Sequence, residues 1–88
     1  MSSEGSGATP ECPLIERPVG SVSVLHRVEA TRVRRRRLAE LGFVPGARIE
    51  VLGRGGIDGL LLAVNADTRV AVDAAGARDL WVREGHRG

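Results

Sequence analysis

The chain has 88 residues and a formal net charge of +2, so it is expected to form one small domain with little room for a large internal active site. All thirteen basic residues are arginine, which excludes functions that need the lysine of a phosphate-binding loop, a Schiff-base lysine or a lysine general base. The single cysteine, Cys12, excludes an intramolecular disulfide and fits a reducing compartment, so we expect a cytoplasmic location.

The composition divides the chain into a central domain and two tails. Residues 1–13 are rich in Ser, Gly and Pro and carry almost no apolar side chains, which predicts a disordered N-terminal tail. The folded domain is predicted over residues 14–83, and residues 84–88 form a polar C-terminal tail. The N-terminus has no secretory signal, and the longest apolar run, Leu60 to Val64, is far shorter than the roughly 20 residues of a membrane helix. Any connection with a membrane should therefore pass through a partner.

The first strand is predicted over Ser21 to Val28. Val22, Val24 and Val28 recur with a period of two, which is typical of a strand with one buried face and one polar face.

A helix is predicted from about Arg32 to Leu41, with Thr31 as its N-cap. Leu38 and Leu41 are three residues apart, so they should share one face of the helix and point into the core. Arg34 falls on that same face, where a charged side chain is unexpected.

The end of this helix carries a stop signal and a turn in succession. Gly42 is predicted at the position that requires a left-handed backbone, followed by Phe43, whose side chain should pack on Leu38 in a Schellman cap. Pro45 and Gly46 then have the residue types of the two central positions of a type II turn.

The rest of the chain alternates between short apolar segments and turns, which predicts an antiparallel sheet. The glycine-rich stretch from Gly53 to Gly59 is predicted to be a hairpin loop, and Ala74 to Arg78 a 3₁₀ turn. Further strands are predicted at Ile49 to Leu52, Leu60 to Val64, Thr68 to Val72 and Leu80 to Val82.

The side chains that could take part in catalysis or metal binding are spread along the chain. Cys12, His26 and His86 lie in different segments, and no spacing brings them together. There is no pair of cysteines, no His-x-x-x-His and no serine beside a base, so we predict neither a catalytic residue nor a metal site.

Four consecutive arginines, Arg34 to Arg37, give the helix its charge. Arg32, Arg35 and Arg36 should project outward together, and we predict Arg35 and Arg36 as partner-binding residues, with a merely solvated helix face as the alternative. The scarcity of aromatic side chains argues against single-stranded nucleic acid, whereas a duplex requires none.

Trp81 is the third predicted partner-binding residue. If Leu80 and Val82 point inward, Trp81 points outward, and an exposed tryptophan favours an interface. The alternative is a twisted strand in which Trp81 covers the end of the barrel.

The segment Leu41-Gly42-Phe43-Val44-Pro45-Gly46, preceded by Arg37-Leu38, resembles the Leu-Gly-x-x-Pro-Gly signature of the FeoA family, small bacterial proteins of ferrous iron transport. The likeness extends from about Pro18 to Val82. The sequence departs from the family in its glycine-rich hairpin, where the family often has Gly-Asp-Pro, and at Arg34, where the family usually has an apolar residue.

This resemblance implies a mainly β fold, a small SH3-like barrel of about five antiparallel strands with one inserted α-helix. It also implies a non-enzymatic cytoplasmic accessory that binds FeoB, the membrane transporter with a GTPase domain. No cofactor is expected from the residues, and a transition metal is suggested only by the resemblance. The alternative function is a metal-sensing or DNA-associated module, because the same fold forms the C-terminal domain of DtxR-type repressors.

Overall fold

The computed structural model describes residues 10–56 and 59–85, which form six strands, two α-helices and one 3₁₀ helix. In chain order the elements are β1 (Cys12–Pro13), the 3₁₀ helix (Leu14–Glu16), β2 (Val22–Val28), α1 (Arg32–Glu40), β3 (Arg48–Gly55), β4 (Gly59–Val64), β5 (Thr68–Val72), α2 (Ala74–Asp79) and β6 (Leu80–Glu84). The strands form one antiparallel sheet in the order β1-β6-β2-β3-β4-β5. The mainly β fold with a helix inserted after the Val22–Val28 strand agrees with the prediction.

The sheet has one strand more than predicted, because the N-terminal segment pairs with its last strand. In β1, Cys12 lies opposite Val82 and Pro13 lies opposite Trp81. The sheet thus begins two residues inside the predicted tail, and β6 extends one residue past the predicted domain end. A two-residue strand held by a distant partner has no periodicity of its own to reveal it. Residues 1–9 and 86–88 of the predicted tails lie outside the described residues.

The core is built from aliphatic side chains and one aromatic ring. Phe43, which follows α1 in the chain, is the largest fully buried side chain and belongs to the core cluster. The other members of the core cluster are Leu14, Leu25, Leu38, Ala47, Ile49, Val51, Leu60, Leu62, Val64, Ala77, Leu80 and Val82.

The valines of β2 do not share one buried face, contrary to the prediction. Val24 is 36% exposed, whereas its neighbour Leu25 is buried. The pairing with β6 slips between Leu25 and Arg27, so His26 is the extra residue of a β-bulge. A bulge exchanges the two faces of a strand, which explains why Leu25 and Val28, three residues apart, both pack against the core.

The second helix differs in type from the predicted 3₁₀ turn. Residues Ala74–Asp79 form a short α-helix whose N-cap is Asp73, and the backbone N–H of Gly76 donates to Asp73 Oδ1 at 2.8 Å. This side-chain cap satisfies a donor that would otherwise lack a partner at the start of a helix. Ala77 is fully buried and anchors α2 to the core.

Both ends of α1 have the predicted caps. Thr31 Oγ1 accepts a hydrogen bond from the N–H of Arg34 at 3.2 Å. At the other end, the N–H of Gly42 donates to the carbonyl of Ala39 and that of Phe43 to the carbonyl of Leu38, both at 2.9 Å. Together with the φ of +105° at Gly42, these two bonds confirm the Schellman cap.

The prediction for Leu41 was wrong. Leu38 is buried, but Leu41 is 47% exposed. Leu41 is the C-cap residue, and the left-handed turn at Gly42 swings the chain so that Phe43, two residues later, enters the core instead. The helix therefore contributes one leucine to the core, and the aromatic ring after the cap takes the place expected for the second.

Candidate binding surface on the basic helix

Helix α1 is charged and lightly packed. Five of its nine residues are arginine and one, Glu40, is acidic. Leu38 is its one buried residue. A helix so nearly surrounded by solvent presents most of its side chains to potential partners.

Arg34 is the member of the arginine run that pairs with a carboxylate among residues 10–56 and 59–85. It is half-buried, and its Nη1 lies 2.9 Å from Oδ2 of Asp79 at the end of α2. This ion pair explains how a charged residue can occupy the Leu38 face, since the guanidinium reaches α2 rather than the core. Arg34 thus joins the two helices.

Three other arginines line a depression on one side of α1. Arg32, Arg35 and Arg36 are exposed, as predicted, and with Ala39 they follow the spacing i, i+3, i+4, i+7 of a single helix stripe. The depression has a volume of about 330 Å³. We call it the arginine groove, with a wall of Arg32, Arg35, Arg36 and Ala39 and a floor of Val28, Phe43, Val44 and Pro45.

The charge of the arginine groove is not compensated within the described part of the chain. None of its three guanidinium groups forms an ion pair with a described carboxylate. The floor consists of apolar residues, so three like charges stand beside an uncharged surface. Arginines of this kind, next to apolar surface, are typical of protein interfaces.

The opposite side of α1 has a second depression of about 410 Å³, lined by Thr31, Val33, Arg34, Arg37 and Leu38. Val33 is the most exposed large apolar side chain of the described residues, at 67%. This side, which we call the Val33 side, carries Arg37 as its exposed arginine because Arg34 pairs with Asp79.

Trp81 lies on the face of β6 opposite the core, since Leu80 and Val82 are both fully buried, as predicted. It is half-buried rather than free, because the guanidinium of Arg27 lies over its ring, 4.6 Å from the centroid. The register of the sheet places Arg27 directly opposite it. Trp81 therefore belongs to the outer face of the sheet, whereas Arg35 and Arg36 belong to the helix groove.

Arg27 is a site residue that the sequence did not reveal. It donates from Nε to Glu11 Oε1 at 2.8 Å and also pairs with Glu29. Glu11 and Trp81 are distant from Arg27 in the chain, so only the tertiary arrangement of the strands could have identified it.

Charged side chains form a network around the bulge of β2. His26 Nε2 lies 3.2 Å from Glu11 Oε2 and 3.3 Å from Nη2 of Arg83. The guanidinium groups of Arg27 and Arg83 beside these atoms disfavour a bound cation. Within residues 10–56 and 59–85, no group of three or more His, Cys, Asp or Glu side chains could hold a metal ion.

This network predicts a pH dependence of stability. The hydrogen bond from Arg27 lowers the pKa of Glu11, and Glu11 in turn raises the pKa of Arg27. A carboxyl group whose pKa is lower in the folded chain stabilises the fold above its ordinary pKa of about 4.3, and this contribution is lost as the pH falls toward the folded value. Glu11→Gln should therefore lower the melting temperature near neutral pH and converge with the wild type in acid.

The control for this experiment is Glu16→Gln, which removes an exposed carboxylate from the 3₁₀ helix. Melting curves of the three proteins are recorded between about pH 7 and about pH 3, a range that includes the ordinary pKa of a glutamate. A Glu11→Gln deficit that stays constant over this range would contradict the role of the ion pair.

The sheet, the single inserted basic helix and the small aliphatic core define a domain of the SH3-like class. A family model described as the FeoA domain matches residues 12–84, and the chain therefore belongs to the FeoA family. This membership supports involvement in ferrous iron transport. No helix in the described part of the chain is long and apolar enough to span a bilayer.

Solved structures agree with this assignment. The crystal structure of an iron uptake regulatory protein (FeoA) is 27% identical with a TM-score of 0.76, over 85% of this chain and 97% of that one. FeoA of Stenotrophomonas maltophilia in complex with zinc, an SH3 domain protein, is 34% identical with a TM-score of 0.65, over 78% of this chain and 86% of that one. No curated relative matches the chain.

The likeness to repressors concerns the fold alone. A manganese-dependent transcriptional repressor superimposes with a TM-score of 0.78 at 22% identity, over 88% of this chain and 43% of the repressor chain. The shared module is therefore one part of that protein.

Proposed function

We propose that the chain is a non-enzymatic cytoplasmic accessory of ferrous iron transport that binds the cytoplasmic portion of a FeoB-type membrane transporter. Membership of the FeoA family supports the process. The observation that carries the binding role is the arginine groove, where three exposed guanidinium groups without a described carboxylate partner stand beside an apolar floor. The proposed role requires no resident metal or cofactor.

We propose different roles in partner binding for the three residues predicted from the sequence. Arg35 and Arg36 are exposed and line the groove, so we propose them as direct contacts. Trp81 is half-buried beneath Arg27, and we propose that the two contact the partner as one stacked unit. Arginine and tryptophan are among the residue types enriched at the interface positions that contribute most to binding.

The test is a titration of the full-length chain with the purified cytoplasmic domain of its cognate transporter. We expect saturable binding, measurable by calorimetry and by the fluorescence of Trp81, the one tryptophan of the chain. Raising the salt concentration should slow association more than it speeds dissociation, because exposed charges mainly steer the encounter. Absence of binding by a folded chain would refute the proposal.

Duplex DNA serves as the comparison ligand. If the arginines contacted phosphates, the affinity would fall with the logarithm of the salt concentration by a slope of about 0.9 for each phosphate contact. We expect weak binding without sequence preference. Tight sequence-selective binding would favour the regulator function instead.

A further inference from the structure

We infer that the arginine groove is the docking site for an acidic amphipathic helix of a protein partner. The inference depends on the proposed function only for the identity of that partner. It is carried by the spacing of the arginines, the apolar floor beside them and the rigid turn that forms the floor.

The spacing of the wall matches a helix. Arg32, Arg35 and Arg36 lie on one stripe of α1, so carboxylates three and four residues apart on a facing helix would meet them in register. The stripe from residue 32 to residue 39 is about 10 Å long, at 1.5 Å per residue. Ala39 ends it, and its small side chain allows a second helix to approach α1 at the 8–10 Å typical of packed helices.

The floor supplies the apolar half of the recognition. Val44 is 43% exposed beside Pro45, and the buried Phe43 also lines the groove. A ligand helix with acidic side chains toward α1 and apolar side chains toward this floor would satisfy both surfaces.

The floor is held in place before any ligand arrives. The N–H of Ala47 donates to the carbonyl of Val44 at 2.9 Å, and the N–H of Gly46 donates to the carbonyl of Leu25 in β2 at 2.8 Å. These bonds fix the turn to the sheet. A preformed floor reduces the entropic cost of binding.

The apolar floor also favours a protein over nucleic acid. Phosphates would engage the guanidinium groups of the wall but would gain nothing from Val44 and Pro45. An acidic amphipathic helix contacts both the wall and the floor of the groove, so the loss of either part should lower its affinity.

The experiment uses the full-length chain and two synthetic peptides of identical composition. The first is a helix with glutamates along one face and leucines along the adjacent face, and the second is its scrambled sequence. We expect the amphipathic peptide to bind saturably by fluorescence anisotropy and to shift NMR resonances of the arginine groove, whereas the scrambled peptide should bind about tenfold more weakly. Equal binding of the two peptides would overturn the inference.

The two sides of α1 offer matched variants. The double variant Arg35→Gln/Arg36→Gln should lower the affinity for the amphipathic peptide by about tenfold, and Val44→Ser should lower it by about threefold. Arg37→Gln and Val33→Ser make the same chemical changes on the Val33 side and should leave the affinity within about twofold of the wild type. If Arg37→Gln weakened binding as much as Arg35→Gln alone, the attraction would be general charge and not the groove.

The same variants in the transporter titration separate this inference from the proposed function. If the transporter domain binds the groove variants as tightly as the wild type, the groove is not the docking site, but the proposed function is still supported. If the peptide binds in the groove but the transporter domain does not bind, the inference about the groove is supported and the proposed function is refuted. Displacement of the peptide by duplex DNA of mixed sequence would assign the groove to nucleic acid and overturn the inference. Dimerisation of the wild type that is lost in Val44→Ser would assign it to a second copy of the chain and also overturn the inference.

Discussion

Phe43→Ala should remove most of the stability of this domain. The ring is 1% exposed and is the largest side chain of the core. Truncation of a buried phenylalanine costs about 3–5 kcal/mol, because it removes apolar burial and leaves a cavity. Domains of this kind are stable by about 5–15 kcal/mol in total, and a small one lies toward the lower end. The variant should melt at a much lower temperature or fail to fold.

The neighbouring residue provides the control. Val44→Ala shortens an exposed side chain one position further on, so it should change the free energy of unfolding by no more than about 0.5 kcal/mol. Chemical denaturation of both variants measures the difference. A small loss in Phe43→Ala would show that the aliphatic side chains around the ring can close the cavity.

Gly42→Ala should destabilise the fold more than Gly46→Ala, although both residues have positive φ. Gly42 has φ +105° and Gly46 φ +93°, a region that costs an L residue about 1–2 kcal/mol. A Cβ at Gly42 would also lie 3.1 Å from Cγ1 of Val64 in the core, whereas a Cβ at Gly46 would meet nothing within 4 Å. We therefore expect a loss of about 1 kcal/mol at Gly46 and about 2 kcal/mol or more at Gly42.

Equilibrium unfolding in denaturant gives both values. The difference between the two alanine variants isolates the contact with Val64, because the backbone cost is common to both. Equal losses would mean that β4 moves away from the added methyl group without cost.

The parts of the fold that depend on neighbouring residues were predictable from the sequence. The cap at Thr31, the left-handed Gly42 and the turn at Pro45 and Gly46 each follow from residue types within a few positions, and the structure confirms them. Local chemistry determined these features, so no knowledge of the fold was needed.

Two features that the sequence did not predict depend on residues far apart in the chain. The bulge at His26, which lets Leu25 and Val28 both pack against the core, exists because β2 pairs with β6. The β1 strand likewise exists only through its pairing with Trp81 and Val82. No pattern within β2 or within residues 12–13 encodes these pairings.

In the candidate site, too, the local features were predictable from the sequence and the tertiary ones were not. Outward projection of Arg35 and Arg36 follows from helix periodicity, and the structure confirms their exposure. The apolar floor beneath them comes from Val28 and the turn after the helix, and the pairing of Arg34 with Asp79 joins two helices. Both required the tertiary arrangement.

The single buried residue of α1 has a consequence for the order of the helix itself. Helix α1 contributes one leucine to the core and is otherwise held by its caps and by one described ion pair. It can therefore open locally at a lower free energy than the strands of the sheet. A ligand that binds the closed helix stabilises it by mass action. The amide hydrogens of α1 should therefore exchange readily in the free protein and much more slowly in a complex, because the partner adds packing that the helix lacks in the free chain.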